Sequence, residues 1–191
     1  QSELKEETMF ENLRQDSARY EGLGGWATQP GFWIIAVYRF GVWANALPTP
    51  FLRIPAWILY RLLRLPYRLF NVELWAGREG ARLGPGLCLI HPANIYVGRG
   101  VEIGENCKIF HEVTLGTGHI PGTPKIGDNV DIFVGARILG GITIGSDSMV
   151  SANCVVTKDV PAGSVIISAP NRVLPRSLSP RAREMDGETR L

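Results

Sequence analysis

The feature that most limits how this chain can fold is an aliphatic residue that returns every six positions through its second half. Leu83, Leu89, Val97, Ile103, Ile109 and Leu115 form one run, and Ile126, Ile132, Ile138, Ile144, Val150 and Val156 form another, with only two spacings departing from six. Four positions after these residues sits a second small or aliphatic side chain, as at Ala93, Val101, Cys107, Val113, Val130, Ala136, Ile142, Ser148 and Cys154. A period of six matches neither a helix nor the alternation of a long strand. It fits short strands joined by tight corners. Gly, Asn and Asp recur beside the aliphatic positions because a corner needs residues that tolerate unusual dihedral angles. Three such segments close one triangular coil of 18 residues. Successive coils then pair as parallel strands about 4.8 Å apart, with the aliphatic and small positions inside a prism.

The 191 residues suit one main unit with an appendage. A formal net charge of +2 gives no bulk argument for a nucleic-acid partner. The charge is unevenly spread, since Gly22 to Val72 holds five arginines (Arg39, Arg53, Arg61, Arg64, Arg68) and no acidic residue. All five tryptophans fall between Trp26 and Trp75. Phe32–Leu47 and Phe51–Phe70 read as two apolar helices, the second interrupted near Pro55 and Pro66. Neither offers the uncharged length of a spanning helix. Residues 32–70 are therefore expected either to lie on a membrane surface or to pack on the solenoid or between subunits. The three cysteines, Cys88, Cys107 and Cys154, form no paired motif, which favours a reducing, cytoplasmic compartment. No signal peptide is visible at the polar start. The expected organisation is a helical segment over 1–72, a solenoid over 73–174 and a mobile basic tail over 175–191.

The repeats, together with GLCLIHPANIYVG, HEVTLGTG, TPKIGDNVDIFVGARILG and CVVTKDVPAGSV, make residues 80–174 resemble the hexapeptide-repeat superfamily. Its serine acetyltransferase branch is the most similar. The resemblance implies an all-β solenoid in the form of a left-handed parallel β-helix, acetyl-CoA as cosubstrate, no metal, and a homotrimer with its clefts between subunits. The left hand comes from the resemblance alone, because ordinary parallel crossovers are right-handed.

Function is expected where the repeat breaks. The first break adds two residues around Ile95 and Tyr96, just after His91. The second adds five between Leu115 and Ile126, in a loop that holds His119. His91 and His111 are 20 residues apart, one coil plus the two inserted, and are expected to be stacked neighbours. By resemblance His91 takes the general-base position, removing a proton from the acceptor hydroxyl as it attacks the thioester. His111 would orient the substrate. His119, in TGHIPG, is the second candidate for the base, since galactoside and xenobiotic acetyltransferases carry a histidine in such a loop. The aspartate that supports the base in the serine acetyltransferases is replaced here by Ala76. Glu73, 18 residues before His91, is the expected substitute, with Glu79 as the alternative. By resemblance Val134, Gly135 and Ala152 line the pantetheine, while Lys158 and Arg172 are candidates for the phosphates.

Three charged positions that hold the amino acid in the serine acetyltransferases are Ile90, Gly122 and Thr123 here. Their loss favours a neutral acceptor, a sugar hydroxyl of bacterial surface polysaccharide, as in colanic-acid-type O-acetyltransferases. Free serine is the alternative. A zinc enzyme like the γ-class carbonic anhydrases is a further one, weakened by the spacing of His111 and His119. A purely assembling solenoid is the non-catalytic reading.

Overall fold

The computed structural model describes residues 9–77 and 79–169. Three α-helices come first: α1 Met9–Ala18, α2 Pro30–Ala46 and α3 Pro50–Leu63, with a 3-10 turn at Pro66–Phe70. Pro55 does not end α3. It removes only the bond to the Phe51 carbonyl, in the first turns of the helix, where Phe51 is exposed.

Fourteen short strands follow among the described residues. They are β1 Glu73–Leu74, β2 Arg82–Leu83, β3 Cys88–Ile90, β4 Tyr96–Val97, β5 Glu102–Ile103, β6 Lys108–Phe110 and β7 Thr114–Gly116, then β8 Lys125–Ile126, β9 Asp131–Ile132, β10 Arg137–Leu139, β11 Thr143–Ile144, β12 Met149–Val150, β13 Val155–Val156 and β14 Val165–Ile166. All pairings are parallel, and every third strand shares a face as far as β13, after which β14 joins β12. The first face is β1-β4-β7-β10-β13, the second β2-β5-β8-β11 and the third β3-β6-β9-β12-β14.

All twelve aliphatic positions of the repeat are buried, none more than 8% exposed. Ala93 departs from expectation because it is only half-buried, and Ile95, fully buried, takes its place inside. The two extra residues therefore sit at His91 and Pro92 rather than at Ile95 and Tyr96. The ladders say the same. Ile90 pairs with Phe110 at an offset of 20, whereas Tyr96 pairs with Thr114 at an offset of 18, so the extra residues lie between them.

A stack of parallel coils leaves its first edge unpaired, and such an edge must be covered. The N-terminal helices do this with buried polar groups. Arg39 of α2 donates from Nε to Asp16 Oδ2 (3.0 Å) and from Nη2 to Asp16 Oδ1 (3.1 Å) and the Gly84 carbonyl (2.6 Å). Its Nη1 donates to the Leu83 carbonyl. Asp16 Oδ1 also accepts the Leu87 N–H at 3.0 Å. The Tyr38 hydroxyl donates to the Ala81 carbonyl (2.6 Å), and the Tyr20 hydroxyl accepts the Leu89 N–H (2.8 Å). Helix α2 can approach this closely because Gly31 has no side chain: a Cβ there would stand 2.2 Å from the Leu89 carbonyl oxygen.

This cap changes how the basic segment reads. Arg39 is an interior group, Arg64 is half-buried, and Arg61 and Arg68 are exposed at the rim of a cavity. No helix among the described residues is long and apolar enough to cross a membrane. Removing the Tyr20 hydroxyl leaves the Leu89 N–H buried without an acceptor, so Tyr20→Phe is expected to cost about 1–3 kcal/mol, measurable by urea denaturation.

Candidate active site

Each coil turns from the third face to the first at one corner. There the chain places Phe110-His111-Glu112, Phe133-Val134-Gly135 and Ser151-Ala152-Asn153 in successive coils. The ladder offsets put His111, Val134 and Ala152 in one column. Gly135 N–H donates to the His111 carbonyl (3.2 Å) and Asn153 N–H to the Val134 carbonyl (2.8 Å). Glu112 N–H donates to the Ala93 carbonyl (2.8 Å), so Ala93, not His91, continues the backbone column above His111.

His91 therefore belongs to a two-residue bulge standing out of this corner. Its φ is +48°, left-handed, where a side chain with a Cβ is disfavoured by about 1–2 kcal/mol. Seven other non-glycine described residues have positive φ, and each belongs to a corner column: Asn71, Asn94, Glu112 and Asn153 here, with Asn106, Asn129 and Asp147 at the corner between the second and third faces. His91 alone belongs to no column, and it is exposed. A strained, accessible histidine at an insertion is a mark of a site rather than of packing.

His111 is half-buried, and its Nδ1 is buried without a hydrogen-bond partner. Beside it the rings of Phe110 and Phe133 stack at 4.8 Å and 13°. The pantetheine candidates Val134, Gly135 and Ala152 continue the same corner. The N–H groups of Val134 and Ala152 have no protein acceptor among the described residues, which suits the amides of an extended chain laid along the corner.

The structure separates other expected members. Glu73 pairs with Tyr96 at an offset of 23, so it stands in the first-face column of Thr114 and Arg137 rather than one coil from His91. The expected spacing of 18 fails because the coil that contains Glu73 is lengthened by the segment from Trp75 to Ala81. Both Glu73 and its alternative Glu79 border the cavity beside α3. His119 and Lys158 are exposed at a different corner, between the first and second faces. The His119 loop is pinned there: Gly141 N–H donates to the Ile120 carbonyl (3.2 Å) and Thr123 Oγ1 to the Gly100 carbonyl (2.8 Å). Arg172 lies outside the described residues. Glu112 is a site candidate that the sequence reading missed, and its left-handed φ of +61° beside His111 is what marks it.

The three thiols are free and buried. Burial pushes Cys107 up to about 11 and raises Cys88 and Cys154 as well, which fits packing rather than reactivity. Among the described residues no three His, Cys, Asp or Glu side chains gather where a metal ion would be held.

No family model matches the chain. Curated relatives do. The serine acetyltransferase of Synechococcus elongatus is 35% identical over 169 residues, 86% of this chain and 65% of that relative. That of Helicobacter pylori is 38% identical over 143 residues, 73% of this chain and 78% of the relative. Among solved structures, the Neisseria gonorrhoeae serine acetyltransferase in complex with serine superposes with a TM-score of 0.66 at 27% identity, covering 86% of this chain and 68% of that one. The Brucella abortus serine acetyltransferase in complex with coenzyme A gives 0.64 at 29%, covering 84% and 65%.

These similarities overturn the sugar-acceptor expectation, because the relatives are serine acetyltransferases and one of the structures holds serine. The argument from missing charges fails for a physical reason. Thr123 donates across to the Gly100 carbonyl of the preceding coil and Gly122 has φ +108°, so these positions build the loop.

Proposed function

This chain belongs to the serine acetyltransferase family, and from that premise we propose that it transfers acetyl from acetyl-CoA to the hydroxyl of L-serine, with His91 as the general base. The observation that carries the catalytic assignment is the left-handed, exposed His91 in the only two-residue insertion of the repeat, at the corner that holds His111. The neutral imidazole of His91 accepts the proton of the serine hydroxyl as that oxygen attacks the thioester carbonyl. The C–S bond then breaks, and the coenzyme thiolate takes the proton from the imidazolium. O-acetylserine and free coenzyme A leave. His111, with its unpartnered Nδ1, holds the acceptor in place.

The ammonium and carboxylate of serine need opposite charges. Glu112 is exposed beside His111, and Arg137 is exposed with its Nη1 bonded to the Gly135 carbonyl at 3.1 Å, one coil further on. We assign Glu112 to the ammonium and Arg137 to the carboxylate. The pantetheine runs along Val134, Gly135 and Ala152. Lys158 and the His119 loop occupy another corner of the same prism, so they meet this groove only from a neighbouring subunit. A homotrimer, each subunit lending that corner to the next, satisfies the requirement. Arg172 remains a candidate for the phosphates, and three unpaired thiols suit a cytoplasmic enzyme.

Thiol release from acetyl-CoA, followed with L-serine and with a panel of sugar acceptors, tests this reading. Turnover with serine is expected, and Glu112→Gln or Arg137→Ala should raise the KM for serine by about tenfold or more without changing that for acetyl-CoA. No thiol release with serine under conditions where the protein binds coenzyme A would refute it.

A further inference from the structure

We propose that the cavity between α3, the 3-10 turn and the first coil binds a small polyanion, a molecule carrying two or more phosphate or carboxylate groups. The cavity measures about 860 Å³, within the range of about 300–1,000 Å³ found for small-molecule sites. Arg61, Arg64 and Arg68 line it from the helical side and Arg99 from the solenoid, against the two carboxylates Glu73 and Glu79. Among the described residues none of these six groups takes part in an ion pair. Among the described lining residues, four guanidinium groups against two carboxylates leave an excess of two positive charges in a concave site, which a dianion balances and a neutral molecule does not.

A second observation points to a ligand. Trp75 lies between two of the arginines, with the Arg64 guanidinium 5.2 Å and that of Arg99 4.6 Å from the ring. Those contacts use the ring and leave the N–H donors of both arginines unspent, held in place for an acceptor. The indole Nε1 of Trp75 is itself buried with no partner. A buried donor without an acceptor costs about 1–3 kcal/mol, and a small turn of the ring toward a bound oxygen would relieve it. Planar guanidinium forks match phosphate and carboxylate oxygens in pairs, which gives the ligand class. The cavity lies at the first coil and reaches the histidine corner only at Asn71; neither His91 nor His111 lines it.

The experiment is calorimetric titration of the full chain with inorganic pyrophosphate and with citrate, in the absence and presence of saturating coenzyme A, at ionic strength fixed with sodium chloride. Saturable binding of at least one anion that survives coenzyme A is expected. The double variant Arg64→Gln/Arg99→Gln should weaken it by about tenfold or more. Trp75→Phe keeps the ring and removes the N–H, and Arg68→Gln alters only the exposed rim. Either single variant should weaken binding at an unchanged thermal midpoint, so the test stands even if the double variant unfolds. Absence of binding, binding unchanged in all three variants, or loss of binding with coenzyme A present would overturn the proposal. So would adsorption to phosphatidylglycerol vesicles with no affinity for either soluble anion.

Discussion

Replacing Asp16 by Ala is expected to lower stability by about 3–5 kcal/mol, seen as a lower urea midpoint and early loss of the helical signal. Asp16 and Arg39 are 0% and 5% exposed, so truncation leaves a guanidinium buried without its counter-charge and the Leu87 N–H without its acceptor. Burial pushes the Asp16 carboxyl up, and the hydrogen bonds from Arg39 pull it back, so the pair is worth less as a whole than either half costs to lose. The double variant Asp16→Leu/Arg39→Met should therefore recover much of the loss. A single-variant effect below about 1 kcal/mol, the value of a surface pair, would mean that the pair is not the clamp between α1, α2 and the solenoid edge.

His91→Ala is expected to reduce kcat by about 100- to 10,000-fold with little change in the KM for acetyl-CoA, as removal of a general base does. His91→Asn separates chemistry from conformation. Asn is tolerated in the left-handed region, so the bulge should persist while the base is gone, and turnover should fall as far as in the alanine variant. Thermal unfolding of both variants should match the parent, because His91 is exposed and forms no hydrogen bond among the described residues. If either variant kept more than a tenth of the parent rate while His119→Ala abolished it, the base would be His119 from a neighbouring subunit.

The repeat made the interior of the solenoid readable before any coordinates. The twelve aliphatic positions are buried, and the ladder from Lys108 to Asp131 to Met149 follows from counting the loop and the coil length. The expected stacking of His91 on His111 was not met, since Ala93 stands above His111 and His91 leaves the column. The position of the first insertion was not legible, since a count fixes how many residues are added between Leu89 and Val97 but not which of them leave the ladder. Only the left-handed backbone at His91 and the buried side chain of Ile95 decide that. Glu73 was misplaced by the same kind of count, extended into a coil whose corner is longer than those after it.

The sequence by itself determined the prism and its inward face, because every six residues restate one local requirement: a side chain inside, then a corner. Tertiary structure alone decided the Asp16–Arg39 clamp, the basic cavity around Trp75 and the separation of His119 from His91. Each of these joins segments distant along the chain, is made once, and depends on how helices settle on a sheet edge or on which corner a loop leaves, so no period in the sequence records it.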